Sequence, residues 1–471
     1  MNDIRNREDV RQYLDEICGQ VRTREKHDEI RRELASHLED LVADKLDSLG
    51  EAVEDGTDRR VREDEAVREA IRQMGDARLI GKRLNRVHKP KTDWSLVALS
   101  AILIGIGLFA MYTVQGAFEP GSHYDSVRFL MNKIVFSALG LAAMAALYFL
   151  DYRKLRSLVW PLYITAALLM LLTHFETFGG SVINGSHTWI RIAGISIDTT
   201  AVAPYLFAIA YSGYLISGGP GSTGGRYGKL RGYAKELALY FVVPAYLYLK
   251  SPSLISLLVH VVAMSIVLLF TRGGWKRWAG YVGVGVVFLS SPLVTATGLY
   301  TSYRSQLQTY LQFFDDPDIS FSRASYSLRI IRSAGLWGQG FSEFPIRWLP
   351  FAQSENIVAF LVYGLGWIVG ALLAVIVVFF ILRSTRIASQ AKDPFARLLV
   401  LGMASILSIK LAWSLLMSVG LLPYVGITLP FIGYNGFNTV VELAAMGVIL
   451  GVYRRKDSIR HASGERTPEA A

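Results

Sequence analysis

From residue 94 onward the chain alternates long apolar runs with short polar breaks, while the first 90 residues are charged throughout. Ten apolar runs lie at about 94–115, 129–150, 157–174, 201–217, 234–249, 253–271, 278–299, 356–382, 397–419 and 438–453. Each is near the ~20 residues that an α-helix needs to cross a bilayer. The pattern therefore predicts an all-α polytopic membrane protein with about ten transmembrane helices over residues 91–456. Several runs are short and require tilt or local thinning of the bilayer. The fifth carries Pro244 and is split from the sixth only by Lys250-Ser251-Pro252, which predicts a tight hairpin.

Residues 1–90 read as a small cytoplasmic helical domain. Ile30, Leu34, Leu38, Leu41, Val42 and Leu46 recur at helical spacing, and Gly50 is a stop. A second helix is expected from about Arg60 to Met74, and a third from Asp76, an N-cap residue type. The run Gln73 to Gly81 resembles the end of the permease-prefix helical domains that precede some bacterial membrane proteins. That likeness implies a regulatory or interaction module. The linker Val87-His88-Lys89-Pro90-Lys91 is basic and broken by proline, and Trp94 stands where an interfacial anchor would. The tail from Asp457 reads as disordered.

Charge sharpens this picture. Residues 1–93 hold 23 of the 39 acids and 20 of the 49 bases, so the excess of bases belongs to the apolar part. Loop Lys and Arg account for it better than nucleic acid does. With a cytoplasmic N-terminus, Arg153, Lys154 and Arg156, then Arg226, Lys229 and Arg231, then Arg272, Lys276 and Arg277, then Arg383, Arg386, Lys392 and Arg397 all fall inside, and Arg454, Arg455 and Lys456 put the C-terminus there too. The expected place is a bacterial cytoplasmic membrane, with the long polar loop 300–355 outside. No signal peptide opens the chain. Cys18 is the only cysteine, which excludes a disulfide framework and a cysteine metal site. Gly218 to Gly225 lacks the Lys-Ser/Thr ending of a phosphate loop.

The polar residues that matter are few. Glu355 is a lone carboxylate at the mouth of the eighth run. Lys133, Lys410, Glu442 and His260 lie within apolar runs, where charge is costly and marks function. Lys133 can also snorkel, Lys410 can pair with Glu442, and His260 has no second ligand at metal spacing. Arg191 and His187 could meet a phosphate. Arg329 and Arg332 are three apart and share a helix face.

In order along the chain, Asn184-Gly185 with Trp189-Ile190, then Asp316-Pro317, Ser327-Leu328 and Gly338-Gln339-Gly340, then Leu349-Pro350, then Gly420-Leu421-Leu422-Pro423 with Leu429-Pro430 and Tyr434, resemble the motifs of one family. These are the SEDS membrane proteins of bacterial shape, elongation, division and sporulation (FtsW, RodA and SpoVE). The resemblance covers about residues 94 to 456. It implies a glycosyltransferase that polymerises lipid II, or another undecaprenyl-linked saccharide, on the outer face, usually beside a class B penicillin-binding protein. The family's catalytic aspartate falls on Glu355. Its other acids are replaced: the residue after Leu-Pro is Phe351, the paired glutamates fall on Tyr363 and Gly364, and its Gln-Pro-Ser-Glu falls on Asp198-Thr199-Thr200-Ala201.

Glycan polymerisation needs a base for the acceptor hydroxyl and cations for the departing pyrophosphate. Glu355 is the expected base. Lys133, Asn184, Trp189, Arg191, Arg323, Arg329, Arg332, Arg347, Lys410 and Tyr434 are the expected substrate-binding residues. No cofactor is implied with certainty, and a divalent cation stays open. Two other readings remain: a degenerate envelope scaffold, and a transporter of lipid-linked precursors that uses Lys410 and Glu442 as a relay.

Overall fold

The computed structural model describes residues 7–21, 27–48, 56–88, 92–117, 128–175, 181–183, 186–192, 195–219, 225–251, 253–289, 308, 323–341 and 349–456. The chain divides into two compact units, and the second comprises Asp93–Lys456.

The first unit is four helices: α1 (Glu8–Gly19), α2 (His27–Ser48), α3 (Gly56–Met74) and α4 (Ala77–His88). Apolar residues at helical spacing build its core. Val10, Leu14, Ile17, Leu38, Val42, Val67 and Ala70 are buried together, and Leu34, Leu41, Leu46 and Ile80 pack against them. Tyr13 donates its hydroxyl proton to the carbonyl of Gly75 at 2.8 Å, which ties α1 to the turn before α4.

The second unit is a bundle of apolar helices. In order these are α5 (Trp94–Ala117), α6 (Phe129–Phe149), a 3₁₀ turn (Tyr152–Leu158) leading into α7 (Val159–Leu172), and a three-stranded antiparallel sheet of β1 (Ser181–Ile183), β2 (Ser186–Ile192) and β3 (Ile195–Asp198). Next come α8 (Thr199–Gly218), α9 (Gly225–Leu237), a π-helical segment (Ala238–Val242), α10 (Val243–Lys250), α11 (Leu254–Leu269) and α12 (Gly274–Leu289). The last five are α13 (Arg323–Ser333), α14 (Ile357–Leu365), α15 (Trp367–Gln390), α16 (Pro394–Ser418) and α17 (Phe437–Arg455).

Among the described residues, seven helical segments are long and apolar enough to cross a membrane: α5, α6, the 3₁₀ turn with α7, α8, α15, α16 and α17. This corrects the expectation of ten. The run at 253–271 yields a helix of 16 residues, α11, and the described part of the run at 278–299 lies in another of 16, α12; residues 290–299 lie outside the described residues. At 1.5 Å per residue these span only about 24 Å. The eighth run is not one helix, because it breaks at Gly366 between α14 and α15, where φ is +89°. The protein is thus an all-α polytopic membrane protein with a helical N-terminal unit.

The bundle has two faces. The N-terminal ends of α5 and α16 lie on one, called here the Asp93 face, and those of α6, α8 and α17 lie on the other, the Glu355 face. The closest pairing is α6 with α17: a Cβ on Gly447 would come within 2.5 Å of the Met144 carbonyl, so backbone packs on backbone. On the Asp93 face, Asp93 caps α5 by accepting from the Ser95 and Leu96 N–H groups, and it accepts from Arg383 of α15 at 2.7 and 2.6 Å. Burial alone would raise this carboxyl. The hydrogen bonds from Ser95, Arg383 and Leu96 outweigh it and hold the carboxyl below its ordinary value.

A depressed folded-state pKa contributes stability above the unfolded value of about 3.9, and this is lost as pH falls through the folded value. Arg383→Ala should therefore cost about 1–3 kcal/mol near neutral pH, by stranding a buried acceptor. The difference from wild type should shrink below about pH 4, as read from detergent melting curves.

Candidate functional site

The Glu355 face is built from three irregular segments. The first is the turn 350–356. Phe351 adopts a left-handed φ of +56°, and its carbonyl accepts from the Ser354 and Asn356 N–H groups at 3.0 and 3.1 Å. A bulky residue in this conformation is strained, and such strain gathers at functional sites. The turn delivers Glu355 to the head of α14. Its Oε2 accepts from the Tyr424 hydroxyl at 2.8 Å. Asn356 donates to the Pro350 carbonyl at 2.7 Å and contacts the same Tyr424 hydroxyl at 3.1 Å.

The second segment is the loop 419–436 between α16 and α17. Tyr434 donates its N–H to the Gln353 carbonyl at 2.7 Å, which fastens this loop to the Glu355 turn. Phe431, also left-handed at φ +66°, donates its N–H to Glu442 Oε2 at 3.1 Å. Glu442 Oε1 accepts from Lys410 Nζ at 2.9 Å, so the expected pair forms between α16 and α17. Lys133 does not snorkel. It is buried, and it donates to the Gly433 carbonyl at 2.8 Å and reaches Thr439 at 3.5 Å. Asn132 donates to the Tyr434 hydroxyl at 3.0 Å.

The third segment is the sheet. Trp189 of β2 lies opposite Asp198 of β3, and Arg191 lies opposite Ser196. Asp198 then caps α8: its Oδ1 accepts from the Thr200 and Ala201 N–H groups at 3.0 and 3.3 Å, and from the Thr200 hydroxyl at 2.8 Å.

A partly open cavity lies between the loop 419–436, the end of the sheet and helices α8, α11, α16 and α17. Asp198, Thr200, Ser256, Lys410, Thr428 and Asn438 supply its polar wall, and Pro204, Ile255, Val259 and Ile406 its apolar one. Lys410 stands eight residues before the end of α16, about 12 Å below the helix terminus. Glu355 does not line the cavity. Its Oε1 lies against Gly426, which does, at 3.4 Å from where a Cβ on that glycine would sit.

The expected residues fall into three groups. Glu355, Lys133, Lys410 and Tyr434 come together around the loop 419–436. Arg191, Arg329 and Arg332 are exposed, and Trp189 is half-buried on β2. Asn184, Arg347, Asp316 and the tail from Asp457 lie outside the described residues, as does the side chain of Arg323 at the start of α13. His260 is buried, with Nε2 bonded to the Tyr240 carbonyl at 2.9 Å. Sequence reasoning passed over Asp198, Tyr424 and Asn438. Only Asp198 carried a signal, as an acidic residue directly before an apolar run. Among the described residues no group of three or more His, Cys, Asp or Glu side chains could hold a metal ion. The cavity's own carboxylate, Asp198, stands near Lys410, so no step below is routed through a metal.

Fold and site together define a polytopic α-helical membrane protein with a polar cavity at one face. The profile of the FtsW/RodA/SpoVE cell cycle proteins matches residues 93–458, and the chain belongs to that family. A probable peptidoglycan glycosyltransferase FtsW from Geobacter metallireducens is 28% identical over 379 residues, covering 79% of this chain and 97% of that one. Stage V sporulation protein E of Bacillus subtilis is 28% identical over 369 residues, covering 78% and 98%. The fold is similar to a chain of a peptidoglycan synthase complex that coordinates polymerization and crosslinking, with a TM-score of 0.61, 23% identity, and coverage of 78% and 98%. It is also similar to the rod shape determining protein RodA of Thermus thermophilus, with a TM-score of 0.53, 21% identity, and coverage of 78% and 97%. The protein is therefore a SEDS-like membrane protein related to cell division and peptidoglycan.

Proposed function

We propose that the protein polymerises lipid II, or a closely related undecaprenyl-linked saccharide, with Glu355 as the base. The observation that carries this reading is the placement of the Glu355 carboxylate against Gly426, on the wall of a polar cavity that also holds Lys410. In the reaction the acceptor hydroxyl loses its proton to Glu355 as its oxygen attacks the anomeric carbon. The pyrophosphate departs with the bonding electron pair toward Lys410. The Tyr424 hydroxyl, donating to Oε2 at 2.8 Å, fixes the carboxylate's orientation. The positive-inside pattern supports an extracytoplasmic Glu355 face with both termini in the cytoplasm. Likeness to a synthase complex supports a class B penicillin-binding protein as partner.

Purified protein given lipid II should make glycan polymer, and Glu355→Ala should abolish it. The replaced acids at Phe351, Tyr363 and Gly364 favour a second reading, a scaffold that retains the fold. It predicts no polymer from wild type, with partner binding intact.

A further inference from the structure

The cavity contains a carboxylate of its own. Asp198 uses Oδ1 for all three of its hydrogen bonds, which cap α8. Its Oδ2 accepts none among the described residues. A cap needs only one oxygen, so capping does not account for the second. The Thr200 hydroxyl stands within 3.4 Å of the Ser253 and Ser256 hydroxyls, which extends a polar strip along the wall. Across the cavity, Asn438 is 5% exposed, and its Oδ1 is buried without a hydrogen-bond partner. An orphaned buried acceptor in a cavity wall points to a ligand that would donate to it.

The other charged or titratable groups around Asp198 are Lys410 of α16, Glu442 of α17 behind it, Tyr205 of α8 and Tyr248 of α10. Lys410 Nζ lies over the Tyr205 ring at 5.9 Å. His260 of α11 is turned to the Tyr240 carbonyl instead. Asp198 and Lys410 therefore share one hollow, and the Glu355 carboxylate stands against Gly426 in its wall. One side carries a base, and the other carries a carboxyl beside an ammonium group.

We propose that Asp198 is the acid of this cavity, giving its proton to the departing pyrophosphate while Lys410 holds that group's negative charge. The proposal rests on the glycosyltransferase reading above. The acceptor O–H bond breaks and its proton passes to Glu355. The new bond forms between that oxygen and the anomeric carbon. The bond from the anomeric carbon to the pyrophosphate oxygen breaks, and its electron pair stays with the oxygen, which takes the Asp198 proton. Water then returns a proton to Asp198 and removes one from Glu355. Desolvation raises the Asp198 carboxyl above its ordinary value, against the hydrogen bonds from Thr200 and Ala201 and the charge of Lys410, which lower it.

Asp198→Asn separates this role from capping, because asparagine caps a helix as well as aspartate does but has no proton to transfer. The assay is polymer formation from lipid II by the full-length protein in detergent, across pH, with melting temperature recorded alongside. The expected result is an unchanged melting temperature, a rate lowered ~100-fold, and loss of the high-pH decline that wild type shows as Asp198 ionises. Asp198→Ser, a second capping substitution, should behave likewise. If Asp198→Asn keeps half the wild-type rate with the same high-pH decline, Asp198 is a cap alone and this inference falls by itself. If both capping variants fail to fold, the residue is structural and the inference falls too. If wild type makes no polymer, the glycosyltransferase reading and this inference fall together.

Discussion

Replacing Lys410 by methionine should destabilise the membrane unit by about 3–5 kcal/mol, as measured by reversible unfolding in detergent. The reason is the partner left behind. Glu442 is 1% exposed, and it would keep only the Phe431 N–H as a hydrogen-bond donor. Its remaining cation would be Lys133, which is not hydrogen-bonded to it, and a buried carboxylate stripped of its hydrogen-bonded partner is more costly than an absent pair. The double variant Lys410→Met with Glu442→Leu should therefore recover most of the loss, because apolar residues of similar volume often replace a buried pair at no net cost. Equal destabilisation of the single and double variants would contradict this account of the pair. The same experiment bears on function, since the double variant has a folded cavity without its cation.

Gly366→Ala should strongly disrupt the break between α14 and α15. At φ +89° an L-residue is strained by about 1–3 kcal/mol before any contact is counted. In addition, the new Cβ would fall 2.0 Å from the Leu336 carbonyl oxygen and 2.6 Å from the Gly338 nitrogen. The segment Gly335 to Gly340 is clasped onto the α14–α15 break there. Gln339 donates its N–H to the Tyr363 carbonyl at 2.8 Å, Gly340 to Gly364 at 3.1 Å, and Trp367 to Gly335 at 3.1 Å. Phe341 packs on Phe360 in a tilted pair with ring centroids 4.9 Å apart and meets Phe109 at 6.0 Å edge to face. The alanine variant should release this clasp and expose the α13 segment. Tryptic cleavage at Arg332 should become at least ~10-fold faster, which corresponds to ~1.4 kcal/mol of lost protection. Unchanged cleavage would show that the break accommodates a side chain.

These two sites differ in how far the sequence revealed them. Lys410 and Glu442 were legible because each is an isolated charge in an apolar run, and such charges need partners. The Gly366 break was not legible. The run 356–382 reads as one continuous span, and only contacts with a segment thirty residues earlier show why the helix stops and restarts. The helix count failed for a related reason. Hydropathy marks apolar stretches, but α11 ends at Leu269, before its apolar run does, in a turn through Thr271 and Gly273. At the site, Glu355 stood out as a lone carboxylate. Tyr424, which orients it, lay in an uncharged loop with no periodicity to distinguish it. Asp198 caps α8, and nothing in the sequence placed it beside Lys410.

The central claim is that the Glu355 side chain acts as a base at the cavity wall. The most direct measurement is the polymerisation rate of Glu355→Gln with lipid II. This change preserves size and the contact with Tyr424 but removes the basic oxygen. The account predicts a loss of ~100- to 10,000-fold in rate, with lipid II affinity unchanged. A glutamine variant that polymerises within twofold of wild type would contradict it.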